Sequence, residues 1–533
     1  MRISTCFASA LLTAALHAQG LPPVPIPPQN PITPNKVELG RALFWDEQLS
    51  STGTVSCGTC HIPTAGGGDP RQALTSLHPG LDGSLGTADD VVGSPGVPLH
   101  DATGRYTRDP FFGLQPQVTD RNAPTMINAA FAPSLFWDGR ASATFLDPET
   151  GVTVLANRGA LESQAAGPPL SDVEMGHVGR DWQDVIDRVT TATPLALAED
   201  VPADLAAFVA GNDYPTLFAS AFGTPDVSAA RIAMAIATYE RTLLSDETPF
   251  DQGALTQQEQ RGLAIFNGPG RCNLCHSGPL FTDNDFHNIG VRPIAEDDGR
   301  AGVTGQPQDA GRFKTPGLRN VGLSAPYFHG GSAATLADVV DFYNRGGDFP
   351  QNQDPLIQPL GLAPPQRADL VAFLATGLLD ARVANETGPF ERPTLYAEST
   401  RVPSSFGIAS AGSGGFAPEL VALEPPLLGN ANMTVGLEHA TPGSLYYLLA
   451  DTPGGGIDVL GARLYFGFTS NLTGLHSGAA QGTGFGAGFD AALVQVPNDP
   501  AFAGLALTFQ WIGFDAGAPG GLSASAPVNV VPF

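Results

Sequence analysis

Lysine is almost missing from this 533-residue chain: Lys36 and Lys314 are the only two, and acidic residues outnumber basic ones 52 to 26. The formal charge of −26 excludes the basic footprint that nucleic-acid phosphates require, and it opposes docking on anionic lipid. Charged residues of both signs make up only 15%, against a usual ~25%. Long apolar runs are missing as well. Beyond the first twenty residues no stretch reaches the ~18 uninterrupted apolar residues of a membrane-spanning helix. Cysteine is scarce, five in all, and a chain of this length can bury enough core to stand without disulfides. Glycine and proline, at 64 and 48 residues, are plentiful and predict a loop-rich protein, and the length is that of about three domains.

Residues 1–20 read as an export signal. Arg2 supplies a thin positive region, Phe7–Leu16 an apolar core, and Ala18 and Gly20 the small residues of a cleavage site before Leu21. That apolar run is too short to span a bilayer, so the mature chain is expected to be soluble and periplasmic or secreted. Cys6 leaves with the signal. The other four cysteines form Cys57-Gly-Thr-Cys60-His61 and Cys272-Asn-Leu-Cys275-His276. Cys-x-x-Cys-His is the c-type haem attachment pattern: each thiol can form a thioether to a haem vinyl group, and the adjacent imidazole reaches the iron. A zinc site, a thioredoxin-like redox pair and a disulfide set are the alternatives. Zinc wants a second Cys or His pair nearby, and a redox pair needs no histidine at that place. Two such motifs, using every mature cysteine, predict two covalently bound haem c groups.

The motifs sit in an internal repeat. Glu38-Leu-Gly-Arg-Ala-Leu-Phe44 precedes the first and Gln260-Arg-Gly-Leu-Ala-Ile-Phe266 the second, each an apolar-periodic helix leading into the cysteine loop. Further helices are predicted at Val227–Leu244, Leu336–Asn344 and Gln366–Leu379. The fold expected is mainly α, with two cytochrome c-like haem domains, residues 21–250 and 251–390, followed by a β-sandwich-like accessory domain over 395–533. That tail holds short apolar runs at Leu445–Ala450, Ala462–Thr469 and Leu505–Phe514, bounded by turn residues. Between the first motif and Arg121 lies a Gly/Asp/Pro-rich insertion, 63–120. Its Asp82, Asp89 and Asp90 lack the full spacing of a calcium loop, so a solvated acidic loop is expected there.

From residue 37 to about 380 the chain resembles the bacterial dihaem cytochrome c peroxidase family, which includes MauG. The strings that carry the resemblance are Arg121-Asn-Ala-Pro-Thr125, Phe136-Trp-Asp-Gly-Arg140, Val173-Glu-Met-Gly176, Cys272–Pro279 and Phe286-His-Asn-Ile-Gly290. Phe313-Lys-Thr-Pro316, Leu318-Arg-Asn320, Ala325-Pro-Tyr-Phe-His329 and Asp341-Phe-Tyr-Asn-Arg-Gly-Gly347 complete them. The tail after about 395 lies outside the resemblance, and no role is assigned to it.

The resemblance implies reduction of hydrogen peroxide to water at the haem on His61. The haem on His276 would take single electrons from a small cytochrome c or cupredoxin. It implies acid–base work by Glu174, a distal-pocket amide in Gln164, and an electron relay between the haems in Trp137. It implies a calcium ion on Asn122 and the backbone carbonyls of Ser324 and Pro326. A second copy of the chain is carried as a candidate partner. On the residues alone, Glu174 reads equally as a turn residue, Gln164 as a surface amide and Trp137 as a core aromatic. Two departures stand out. Leu114 occupies the place of a histidine that blocks the resting peroxidatic haem in many members, and His78 and His100 read as surface residues of the insertion. Tyr343 occupies the place of a methionine ligand to the other haem, as in MauG-like members. The alternatives to peroxide reduction are a MauG-like oxidase that modifies a partner protein, and a non-catalytic dihaem electron carrier.

Overall fold

The computed structural model describes residues 20–71, 76–421 and 423–533. Cys6 and the expected export signal, apart from Gly20, lie outside the described residues. Among the described residues no helix is long and apolar enough to cross a membrane.

The internal repeat folds as two helix crossings. In the first, α1 (Pro34–Trp45) packs across a helix at Ala229–Glu240; in the second, a helix at Gln257–Asn267 packs across one at Pro364–Ala372. Between them in sequence lies the short α2 (Ala160–Ala165), so these become α3, α4 and, after α5 (Leu336–Arg345), α6. Gly40 and Gly262 hold equivalent places in the two repeats. A Cβ on Gly40 would lie 1.9 Å from the Ala235 carbonyl oxygen, and one on Gly262 would lie 2.1 Å from that of Asp369. Only glycine lets the backbones cross that closely. Each crossing has its own core. Leu39, Leu43, Phe44 and Trp45 pack with Ile232, Ala235 and Tyr239 in one. Leu263, Phe266, Phe281, Leu336, Val340, Leu370 and Phe373 make the other.

Helix limits follow local chemistry. The Ser228 side chain caps α3 by accepting from the Arg231 N–H, so α3 begins two residues later than the periodicity from Val227 predicts. The predicted helix to Leu379 stays α-helical only to Ala372 and continues as a π-turn over Phe373–Gly377.

After residue 403 the regular structure is almost all strand, joined by turns and loops. A six-stranded sheet runs, in spatial order, Thr473–Ala479, Leu445–Asp451, Leu507–Phe514, Val528–Val530 and Ser404–Ser405, with Leu522–Ala524 also on Leu507–Phe514; a three-stranded sheet runs Gly488–Val494, Met433–Ala440, Glu419–Val421, and Pro453–Val459 and Ala462–Phe466 pair in a separate ribbon. All these pairings are antiparallel. Alternate residues from both sheets, among them Val435, Leu437, Tyr446, Leu448, Val494 and Trp511, share one buried core. The Trp511 indole N–H donates to the Gly436 carbonyl of the facing sheet at 3.1 Å.

The tail is bound to the insertion. The Leu114 N–H donates to Glu438 at 2.9 Å, the Tyr106 hydroxyl to Glu424 at 2.9 Å, and the Thr434 hydroxyl to the Gly104 carbonyl at 2.8 Å. Arg105 pairs with Asp490 at 3.0 Å. Tyr106 and Leu114 are buried against Val421 and Ala491.

This docking carries a pH signature. Glu424 is buried, and burial pushes its carboxyl up to about 8 even though Thr434 N–H and Tyr106 O–H donate to it. The folded state therefore holds a proton that the unfolded chain gives up near 4.5. The stability linked to this group is fully present below that value and is lost as pH rises towards about 8. Glu424→Gln is expected to remove that loss. Thermal unfolding from pH 5 to 8 should show the wild type falling relative to the variant, by at most ~1.4 kcal/mol per pH unit. A constant difference between the two across this range would contradict the assignment.

Candidate functional site

A cavity of about 590 Å³ opens where the two helical halves meet. Its wall holds Cys57, Cys60 and His61 of the first motif with Asn122, Trp137, Gln164 and Glu174, and with Ser324 and Pro326 of the second half. Gln164 comes from α2. Glu174 comes from a turn whose preceding residue, Val173, accepts the Val97 N–H of the insertion at 3.0 Å. Residues that read on sequence as surface, turn or core thus face one space.

Each motif histidine is held in the same way. His61 Nδ1 lies 2.9 Å from the Gly67 carbonyl oxygen; His276 Nδ1 lies 3.0 Å from that of Phe281 and 3.2 Å from that of Pro316. A carbonyl only accepts, so Nδ1 carries the proton and Nε2 keeps its lone pair for a metal. Burial lowers the pKa of both rings, which favours the neutral ligating form, with the carbonyl contacts opposing. The four cysteines among the described residues are free. Burial raises the thiols of Cys57, Cys60 and Cys272, to about 12 for the last two. In each motif the two thiols stand beside a histidine whose Nε2 is free, an arrangement that suits thioether attachment of a haem. Among the described residues, the one cluster able to hold a metal is Cys275, Asp283 and His287. There the His287 nitrogens are already taken by Asp354 at 2.7 Å and Asp283 at 3.1 Å.

Glu174 has its carboxyl raised, first by burial and further by Asp120, while Arg140 and a Ser171 hydrogen bond pull it back. Trp137 joins the halves: its indole N–H donates to the Asn122 carbonyl at 2.7 Å, and its own carbonyl accepts the Lys314 N–H at 2.8 Å. The Asn122 amide donates to the Pro326 carbonyl at 2.5 Å, which brings two of the three residues expected around calcium into contact. Tyr343 sits on α5, away from the cavity wall. Burial, with the Cys272 and Cys275 sulfurs nearby, raises its phenol well above the ordinary range.

Three expectations for the insertion need correction. His100 is not on the surface: it is 1% exposed, with its ring against Tyr106 and His177. His78 lines the cavity. Its Nδ1 accepts the Gly80 N–H at 3.3 Å, so its Nε2 bears the proton and is not set to bind iron. Leu114 is not in the cavity, because the tail holds that part of the insertion under its own sheet. Asp82, Asp89 and Asp90 accept from Ser84, Asp82 and Gly86 N–H groups of their own acidic loop. Sequence reasoning also passed over Lys314 as a site residue. It lines the cavity, with its pKa lowered to about 8 by burial, and its signal was plain: one of two lysines, inside a quoted string.

Two Cys-x-x-Cys-His turns with free Nε2 atoms, one opening on a carboxyl-lined cavity, define the c-type dihaem class. The family described as di-haem cytochrome c peroxidase matches residues 34–260. Cytochrome-c peroxidase IdrP1 of Denitromonas iodatirespirans is 30% identical over 413 residues, which cover 69% of this chain and 90% of that protein. Methylamine utilization protein MauG of Methylorubrum extorquens is 32% identical over 393 residues, covering 70% and 90%. The crystal structure of a MauG-like protein associated with microbial copper homeostasis superposes with a TM-score of 0.51 at 27% identity, covering 72% of this chain and 99% of that one. The chain belongs to the dihaem cytochrome c peroxidase/MauG family, an oxidoreductase family whose cofactor is haem c.

Proposed function

We propose that this protein reduces hydrogen peroxide to water at a haem held by Cys57, Cys60 and His61, with electrons from a small cytochrome c or cupredoxin that enter through a haem held by Cys272, Cys275 and His276. The observation that carries the reading is the single cavity that gathers His61, Glu174, Gln164 and Trp137. When bound, the two irons supply the pair of single-electron stores that a two-electron substrate needs. The chain supplies the rest. Glu174, its carboxyl raised by burial, is placed to take a proton from one peroxide oxygen and return it to the other. The Gln164 amide orients the peroxide. Trp137, bonded to both halves, is the relay between them. A calcium ion on Asn122, Ser324 and Pro326 would fix that junction, with the Asn122 amide turned to present its oxygen. The division is two cytochrome c-like domains, 21–250 and 251–390, followed by a β-sandwich-like domain, in a protein exported to the periplasm or beyond.

Because Leu114 lies outside the cavity and His78 presents the wrong tautomer, peroxide should meet the first haem with no prior reduction. The test is stopped-flow mixing of the fully oxidised protein with peroxide, followed by turnover with a reduced small cytochrome. Reaction within the mixing time and steady consumption of reduced cytochrome are expected. A resting protein that is low-spin at both haems and inert until reduced would contradict the reading and make His78 the blocking ligand.

One observation favours a second reading. Tyr343, beside the Cys272 and Cys275 sulfurs, suits a haem that reaches higher oxidation states, and this supports MauG-like oxidation of a partner protein. In that case peroxide would be consumed with poor turnover of any small cytochrome.

A further inference from the structure

The mechanism above leaves one buried acid of the cavity unused. Glu240 ends α3, is 5% exposed, and lines the cavity with Cys57, Cys60 and His61. Its Oε2 has no hydrogen-bond partner among the described residues. A buried carboxyl oxygen without a donor is costly, so such a group calls for an explanation. The charged and titratable groups that face it do not neutralise it. Arg241, next in the chain, is held by Glu162 of α2 through two bonds of 2.9 and 2.8 Å. Tyr239 has its hydroxyl occupied by the Trp45 indole N–H at 3.0 Å. Cys57 is close enough for the Glu240 charge to raise its thiol, and thioether formation would make it neutral. Burial raises Glu240 to about 8, with Arg241 opposing and Glu162 adding.

Such a carboxyl stands beside the place where a cofactor changes its net charge by one with each electron. Reduction of the iron removes a positive charge and favours the protonated acid; oxidation restores the charge and favours the carboxylate. We propose that Glu240 is the redox-linked proton acceptor of the haem at Cys57, Cys60 and His61. The inference rests on haem attachment at that motif. The step balances as ferric iron, one electron, Glu240 carboxylate and one proton going to ferrous iron and Glu240 carboxylic acid. The electron comes from the one-electron donor and the proton from water.

The experiment is a spectroelectrochemical titration of the dihaem holoprotein between pH 6 and 9, on the wild type, Glu240→Gln and Glu174→Gln. The midpoint potential of the first haem should fall with rising pH in the wild type, and the slope should be markedly smaller in Glu240→Gln, more so than in Glu174→Gln; Glu174 and Lys314, which line the same cavity, account for what slope remains. The potential of the second haem should respond alike in all three. Redox-difference infrared spectroscopy of the wild type needs no variant: reduction should produce a protonated-carboxyl C=O band that shifts in D2O. A wild-type potential independent of pH, an undiminished slope in Glu240→Gln, a greater loss of slope in Glu174→Gln instead, or no carboxyl band would each overturn the proposal. Haem counting by mass on the same samples separates the two levels of the argument. A protein lacking the first haem overturns both, whereas a dihaem protein with a flat potential overturns Glu240 alone.

Discussion

Glu174→Gln is expected to slow peroxide turnover by ~10²–10⁴-fold, the usual scale for loss of a general acid–base group. Glutamine keeps the size and polarity of the side chain but cannot accept and return a proton. The loss should therefore fall on kcat, with haem content and the spectrum of the resting protein unchanged. The position supports this magnitude. Glu174 faces the cavity beside His61, and burial raises its carboxyl, which makes its carboxylate a stronger proton acceptor than that of an ordinary glutamate. Activity in the wild type should decline as pH falls past the point where this carboxylate takes up its proton, and the variant should lack that limb. Near-normal turnover in Glu174→Gln would return the residue to a structural turn.

Tyr343→Met should raise the potential of the haem on His276 and bring in the weak far-red band of methionine–ferric ligation. A phenolate is a hard, anionic donor that stabilises ferric iron more than a neutral thioether does. In the protein without haem, burial holds the phenol protonated, with the Cys272 and Cys275 sulfurs reinforcing the effect. The charge of a ferric ion is what would pull the proton off, as a bound cation inverts local pKa behaviour. Packing alone offers a different account of Tyr343, since its ring lies 5.2 Å from that of Phe342 and 6.4 Å from that of Phe328. The two accounts part on the variant. An unchanged spectrum and potential would show that Tyr343 only packs, and would remove the support for MauG-like chemistry.

The site was legible in sequence wherever it is carried by short strings. Cys57–His61 and Cys272–His276 state their chemistry within five residues, and the helices before them repeat down to Gly40 and Gly262, whose missing side chains allow the two crossings. Strands of the tail were legible because apolar alternation is local: Leu445–Asp451 and Leu507–Phe514 begin or end within two residues of expectation. What pattern could not show was the docking of remote segments. Leu114 meets Glu438 across 324 positions and Tyr106 meets Glu424 across 318. Those contacts bury His100 and draw Leu114 away from the cavity, while His78, on a two-residue strand paired with Val91–Val92, is left on its wall. A histidine in a glycine-rich insertion carries no periodicity to announce either fate.

The most direct test of the account is the intact mass of protein matured in a periplasm, taken after denaturation. Two haem additions that survive unfolding are expected, with one lost when Cys57 and Cys60 are both replaced by alanine and the other when Cys272 and Cys275 are. A single addition in the wild type, or a zinc ion in place of haem, would contradict it.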